Sequence, residues 1–298
     1  MVENMSRFFE VNVNKYVADK NFFIYRPASL NNPKNHAVMF IQENTIRYSD
    51  ALLRCNDCLV FWPEKVDVPR NIQNRHAIKL CNNTHKEFAR FFVDNNITHL
   101  PEVDDVNVVN GAYVAKSAII GKGCSIFSGA YIGGEVEIGD NCYIGSGVKL
   151  VGRVLIGNNV VIRENSVLGA DGLTTDRNEQ GKALTIPQFG GIIIEDDVQI
   201  GALTVIARGA IDNTVIKRGA KIDSSSFISH NVQIGEDTFI VGETIMFGSS
   251  STGEKVLISG NSAISNGRRI GSGAIVGVGS TVVFDVKNDQ IVKGNPAR

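Results

Sequence analysis

The chain has 298 residues, enough for one large domain or two ordinary ones. Its 30 Lys and Arg against 31 Asp and Glu leave a formal charge of −1, which argues against a general electrostatic affinity for nucleic acid or an anionic membrane surface. No stretch reaches the roughly 20 apolar residues of a membrane span. The first twenty residues carry charge throughout, and five cysteines make no disulfide framework, so a cytoplasmic protein with reduced thiols is expected.

Residues 1–100 hold Trp62 and four of the five histidines and show no short repeat. AVMFIQ (37–42) and CLVFW (58–62) read as strands. Thr84-His85-Lys86-Glu87 reads as a capping box, opening a helix whose Phe88, Phe91 and Phe92 share an apolar face. A small α/β domain over 1–100 follows, with Leu100-Pro101 as the hinge. Cys55-Asn56-Asp57-Cys58 has metal-ligand spacing but no second pair; a structural strand is the preferred reading and no metal is expected. His36, His76, His85 and His99 share no spacing, and the absence of a glycine-rich phosphate loop argues against a nucleotidyltransferase.

From residue 101 to 298 the organisation changes. Val108, Val114, Ile120, Ile126, Ile132, Ile138, Ile144, Leu150, Ile156, Ile162 and Leu168 recur every six residues, and small residues such as Ala118, Ala130, Val136 and Cys142 follow four later. A period of six suits neither a helix nor a long alternating strand. It suits short strands joined by turns, three to a coil of about 18 residues, with one large and one small side chain per hexad filling the interior. Cys124 and Cys142 sit in the small column and read as core filler. The ladder resumes at Ile194, slips through five-residue steps at Ile211 and Ile216, and runs on to Val282. Between the two runs, residues 171–191 are polar, glycine-rich and out of frame, a loop thrown out from the coil in the manner of a binding element.

His230 is the one histidine of this region and follows Ile228 by two, a register that turns it outward. On spacing alone, an ordinary surface histidine is as good a reading as a functional one. One coil further along the chain stands Gly248, directly above it.

These hexads resemble those of bacterial hexapeptide acyltransferases, and the resemblance implies a mainly β fold: a left-handed parallel β-helix preceded by a small α/β domain. IPQFGGIIIEDDVQIGALTVIARGAIDNTVIKRGAKID (186–223) and ISHNVQIGEDT (228–238) closely resemble the UDP-3-O-acylglucosamine N-acyltransferases of lipid A synthesis; AVMFIQENTIRY and HAIKLCNNTHKEFARFF resemble that family's nucleotide-binding domain more faintly. The resemblance implies that His230, within Ser229-His230-Asn231, is the general base and that Gly248 supplies the oxyanion N–H. It places Asp223 and Asn231 near the sugar and Phe40 and Tyr48 around the base of a nucleotide-linked amino sugar, uridine and thymidine both remaining open. It also implies a homotrimer, with sites between neighbouring solenoids.

The chain departs from that family in two places. Asn266-Gly267-Arg268 stands where the family has Asn-Gly-His, and the KGNPAR ending is similar to coenzyme A-dependent hexapeptide acetyltransferases. Arg268, Arg269, Lys293 and Arg298 then become candidates for coenzyme A phosphates. A short acyl-CoA is the expected co-substrate, with an acyl carrier protein-dependent UDP-3-O-acylglucosamine N-acyltransferase as the alternative. A γ-type carbonic anhydrase would need three zinc histidines in the solenoid, and a purely structural solenoid would have no use for His230, Gly248 and the 171–191 loop together.

Overall fold

The computed structural model describes residues 7–100 and 103–298, so Pro101 of the expected hinge lies outside the described residues. The chain forms two compact units, one comprising 1–100 together with 173–189, the other 101–172 with 190–298.

In the first unit, Arg26–Pro27, Ala37–Phe40, Leu59–Pro63 and Ala77–Cys81 form a four-stranded parallel sheet in that order. Leu59 to Pro63 are all buried, the continuous apolar run of a strand covered on both faces. The helix Thr84–Asp94 packs Phe88, Phe91 and Phe92 inward, each fully buried ring contributing about 1.5–3 kcal/mol. Its cap lies one residue earlier than the sequence suggests: the Asn83 side chain accepts the Lys86 N–H at 3.0 Å, and Thr84 is the first helical residue.

Much of the 171–191 excursion belongs to this unit. Thr175–Arg177 and Ala183–Thr185 pair as an antiparallel hairpin. Asp176 lies 2.7 Å from His85 Nδ1, and Glu179 pairs with Lys86 at 3.0 Å and Arg90 at 2.5 Å, all on the helix Thr84–Asp94. Phe189 stacks on Phe92 and His99, with ring centroids 5.4 and 5.1 Å apart.

The second unit is the coil. Its strands, mostly two residues long, lie in three sheets of nine, ten and eight described strands, and most successive neighbours are 18 residues apart, as in Ser125↔Tyr143↔Val161, the spacing widening to 38 across the excursion, as in Val161↔Gln199. The ladder residues, among them Ile132, Ile162, Ile200, Ile228 and Ile264, form one continuous buried core. Several hydroxyls of the small column are satisfied by backbone, as where Thr238 Oγ1 donates to Gly253 O at 3.0 Å, whereas the buried Ser226 Oγ has no partner among the described residues. At the corners, Asp140, Asn158 and Asp196 each accept a backbone N–H from the coil before, at 2.7 to 2.8 Å. The solenoid is the expected left-handed parallel β-helix, preceded by the small α/β unit.

Three positions differ from the hexad reading. Val108 is 66% exposed, because Val106–Val109 folds back antiparallel on Ala112–Ala115 instead of starting a coil. Ile211 is no ladder member: the corner from Ala207 to Asn213 is enlarged, and Ile216 stacks directly on Ile194. Arg268 falls in the small column, but its guanidinium turns out to Asp285 at 3.6 Å, and the same carboxylate accepts the Arg269 N–H.

Candidate active site

The corner between the ten-stranded and eight-stranded sheets recurs after Leu168, Ile206, Ile228, Met246 and Ile264. Stacking therefore lines up Gly172, Gly209, His230-Asn231, Gly248-Ser249 and Asn266-Gly267-Arg268 along one edge.

His230 lies between two backbones on this edge. A Cβ added to Gly248 would stand 2.6 Å from both Cε1 and Nε2 of the imidazole, and one on Gly172 would stand 2.9 to 3.2 Å from its Cβ, Cδ2 and Cγ. Only glycine leaves room for the ring at both places. Burial pushes the imidazole below its ordinary pKa of about 6.5, so it is neutral at pH 7. Its Nδ1 is buried and has no hydrogen-bond partner among the described residues. The Gly248 N–H likewise donates to no acceptor among them, whereas the next amide, Ser249 N–H, is used by His230 O at 2.9 Å. A neutral imidazole beside an unused backbone donor can take a proton from an attacking nucleophile while that donor meets an oxyanion.

Asn231 shares the corner but is occupied structurally. It adopts φ +61°, its Oδ1 accepts the Ala210 N–H at 2.7 Å, and its N–H donates to Thr214 Oγ1 at 3.0 Å. Asp223 stands on a different corner, after Lys221–Ile222 of the nine-stranded sheet, where its carboxylate accepts the N–H groups of Ser224 and Gly242. A whole face of the prism separates it from His230 in one chain. Arg268 and Arg269 lie at the His230 corner. Lys293 and Arg298 lie at the other, joined through their own backbones, so the four do not converge within one chain.

In the small unit, Phe40 packs on Phe88 and His85 at centroid distances of 4.9 and 5.3 Å, while Tyr48 is 54% exposed with the Arg47 guanidinium 4.8 Å over its ring. A cleft of about 380 Å³ opens at the carboxyl ends of three parallel strands, lined by Gln42, Glu43, Asn44, Pro63, Asn82, Asn83 and Thr84. Ligands of parallel sheets bind in this position. The lining includes neither Phe40 nor Tyr48. Sequence reasoning overlooked it, and also Gly172, whose only signal was its place at the break in the hexad frame. Cys55, Cys58 and His76 form the one group with metal-ligand geometry among the described residues. No described helix is long and apolar enough to cross a membrane.

Residues 117–152 and 135–170 match the bacterial transferase hexapeptide (six repeats) family. A UDP-3-O-acylglucosamine N-acyltransferase of Wolinella succinogenes is 35% identical over 137 residues, 46% of this chain and 43% of that protein. One of Francisella tularensis subsp. holarctica is 52% identical over 79 residues, 26% of this chain and 23% of that protein. The chain thus spans less than half the length of these curated relatives. Among solved structures, the UDP-N-acetylglucosamine acyltransferase of Campylobacter jejuni superposes with a TM-score of 0.57 at 19% identity, over 64% of this chain and 73% of that one, a likeness of fold. Residues 117–170 of the solenoid match the bacterial transferase hexapeptide repeats, and the chain is similar to UDP-3-O-acylglucosamine N-acyltransferases.

Proposed function

We propose that the protein is an N-acyltransferase that moves an acyl group from a thioester to the amine of a UDP-linked amino sugar. The observation that carries this is the neutral His230 imidazole held against the Gly248 backbone. A sugar amine must lose a proton as its nitrogen attacks a thioester carbonyl, and His230 takes that proton. The carbonyl oxygen becomes an oxyanion beside the Gly248 N–H, a donor typically worth roughly 3 kcal/mol of barrier. Collapse of the tetrahedral adduct forms the amide, breaks the C–S bond and returns the proton to the departing thiolate.

Of the two acceptor and donor pairs that the sequence raises, the relatives' name favours a 3-O-acylated UDP-glucosamine, and with it a chain delivered by acyl carrier protein. The short acyl-CoA reading loses support because Arg268 is already paired with Asp285. A homotrimer belongs to the proposal. If Asp223 and His230 touch one sugar, they come from different copies. The outward Phe227, Phe239, Ile245 and Phe247 leave apolar surface for another copy to cover.

The test offers purified protein UDP-3-O-acylglucosamine and other nucleotide-linked amino sugars with either acyl-acyl carrier protein or acyl-CoA. Amide formation from the carrier-bound chain on the UDP sugar is expected. Turnover with acyl-CoA alone would restore the other donor, and no acyl transfer with any pair would overturn the proposal.

A further inference from the structure

The small unit holds a second cluster of reactive side chains that acyl transfer does not use. Cys55 closes the 3-10 helix Glu43–Arg54, Cys58 opens the strand Leu59–Pro63, and His76 precedes the strand Ala77–Cys81. Because Leu59 pairs with Ala77, His76 is brought beside Cys58, and the Cys58 N–H donates to its Nδ1 at 3.3 Å. All three residues are fully buried, and their donor atoms lie within 4.8 Å of one another.

The two sulfurs are 3.7 Å apart. Two thiolates at about 2.3 Å from a tetrahedral zinc ion stand about 3.8 Å apart, whereas a disulfide would bring them to about 2.05 Å. The histidine is prepared in the same sense. Its Nε2 lies 3.0 Å from Leu52 O, and a proton donated there keeps Nδ1 unprotonated, so that its one lone pair, which accepts the Cys58 N–H at 3.3 Å, faces the cluster and is the one a metal would take over. Metal-bound histidines commonly donate their second N–H to a carbonyl in this way. Backbone oxygens also stand at both sulfurs, Leu52 O at 3.5 Å from Cys55 Sγ and Lys34 O at 3.2 Å from Cys58 Sγ, where one can complete the coordination.

We propose that Cys55, Cys58 and His76 bind a zinc ion that ties the end of the 3-10 helix to the two neighbouring strands. Two thiolates and an imidazole suit Zn2+ better than a hard cation such as Mg2+ or Ca2+. Burial leaves no open position for a substrate, so the site is structural. Binding converts two thiols to thiolates and releases two protons for each ion taken up. The site stands apart from the proposed acyl transfer and survives its failure.

The experiment uses the full chain, kept reduced, stripped of metal and titrated with Co2+ as the spectroscopic stand-in for Zn2+. Saturation is expected at about one ion per chain, with a near-ultraviolet thiolate-to-cobalt band and the visible bands of a tetrahedral site, all displaced by Zn2+. Cys58→Ser and His76→Ala should each weaken binding at least tenfold, while Cys124→Ser in the solenoid should leave it unchanged. As a check independent of how the variants fold, added Zn2+ should raise the melting temperature of the unaltered chain and a chelator should lower it. The proposal is overturned if the reduced chain shows no thiolate-to-cobalt band, or if the band persists in both site variants. A Cys55–Cys58 disulfide in the isolated protein, with no metal uptake after its reduction, would equally overturn it.

Discussion

The imidazole of His230 lies flat enough against Gly248 that a methyl group on that glycine would stand 2.6 Å from two ring atoms, a separation that real Cβ atoms do not show. Gly248→Ala is therefore expected to displace the ring and disturb the N–H facing the oxyanion, lowering kcat by about 100-fold or more. Gly172→Ala crowds the other side of the ring, at 2.9 to 3.2 Å, and should lower kcat while leaving Gly248 intact. Full activity in both variants would show that the ring's position does not matter to catalysis.

Removal of the base is the more direct test. His230→Ala and His230→Gln should reduce kcat/KM by on the order of 100-fold or more with the circular dichroism spectrum unchanged. Isothermal titration should find nucleotide-sugar binding largely retained, since the imidazole acts on the proton rather than holding the nucleotide.

Burial lowers the pKa of His230, and this sets the pH profile. The base works as the neutral ring, so the acidic limb of kcat/KM should fall below about pH 6.5 and the rate should be flat above it. Stability follows in the same window. As pH drops below about 6.5 the unfolded chain takes up the proton before the folded ring does, so folding weakens until the lowered folded pKa is reached. Urea midpoints measured at pH 7.5 and 5.5 should fall less in His230→Gln than in the unaltered chain, and an equal fall would contradict the assignment.

Glu179 is held down to about 2 by Lys86 and Arg90, and so stays ionised well below the usual carboxylate range. Its pairing helps dock the hairpin 175–185 above about pH 4.3, and that contribution fades as pH falls toward 2. Glu179→Gln should speed trypsin cleavage at Arg177 and Lys182 in the hairpin with little change in melting temperature, because Glu179 is exposed and water screens its pairs with the half-buried Lys86 and Arg90. Cleavage at the unaltered rate would show that the hairpin docks without this carboxylate.

How much of this was legible in advance differs from one residue to the next. His76 joins Cys55 and Cys58 only because the strands that begin at Leu59 and Ala77 lie side by side, so a reading of spacing alone saw half a metal site. Asp223 and His230 are seven residues apart in sequence yet face out from different corners, and the reading that placed both near one sugar needed more than one chain to hold. Arg268 was anomalous in its column until Asp285, one coil on, supplied the carboxylate that draws it outward.

The sequence by itself determined the coil, its 18-residue turn and the seat of His230 beneath Gly248, because a large side chain every sixth residue must point into the prism and stacking then carries each residue onto the one a turn later. Only the tertiary structure decided that Val108 and Ile211 leave the ladder, that Gly172 returns against His230, and that the hairpin packs on the helix Thr84–Asp94. Each of these depends on packing between segments with no shared period. Local repetition fixes a geometry that the chain cannot avoid, whereas a contact between unrelated segments is chosen by shape and charge after both have folded.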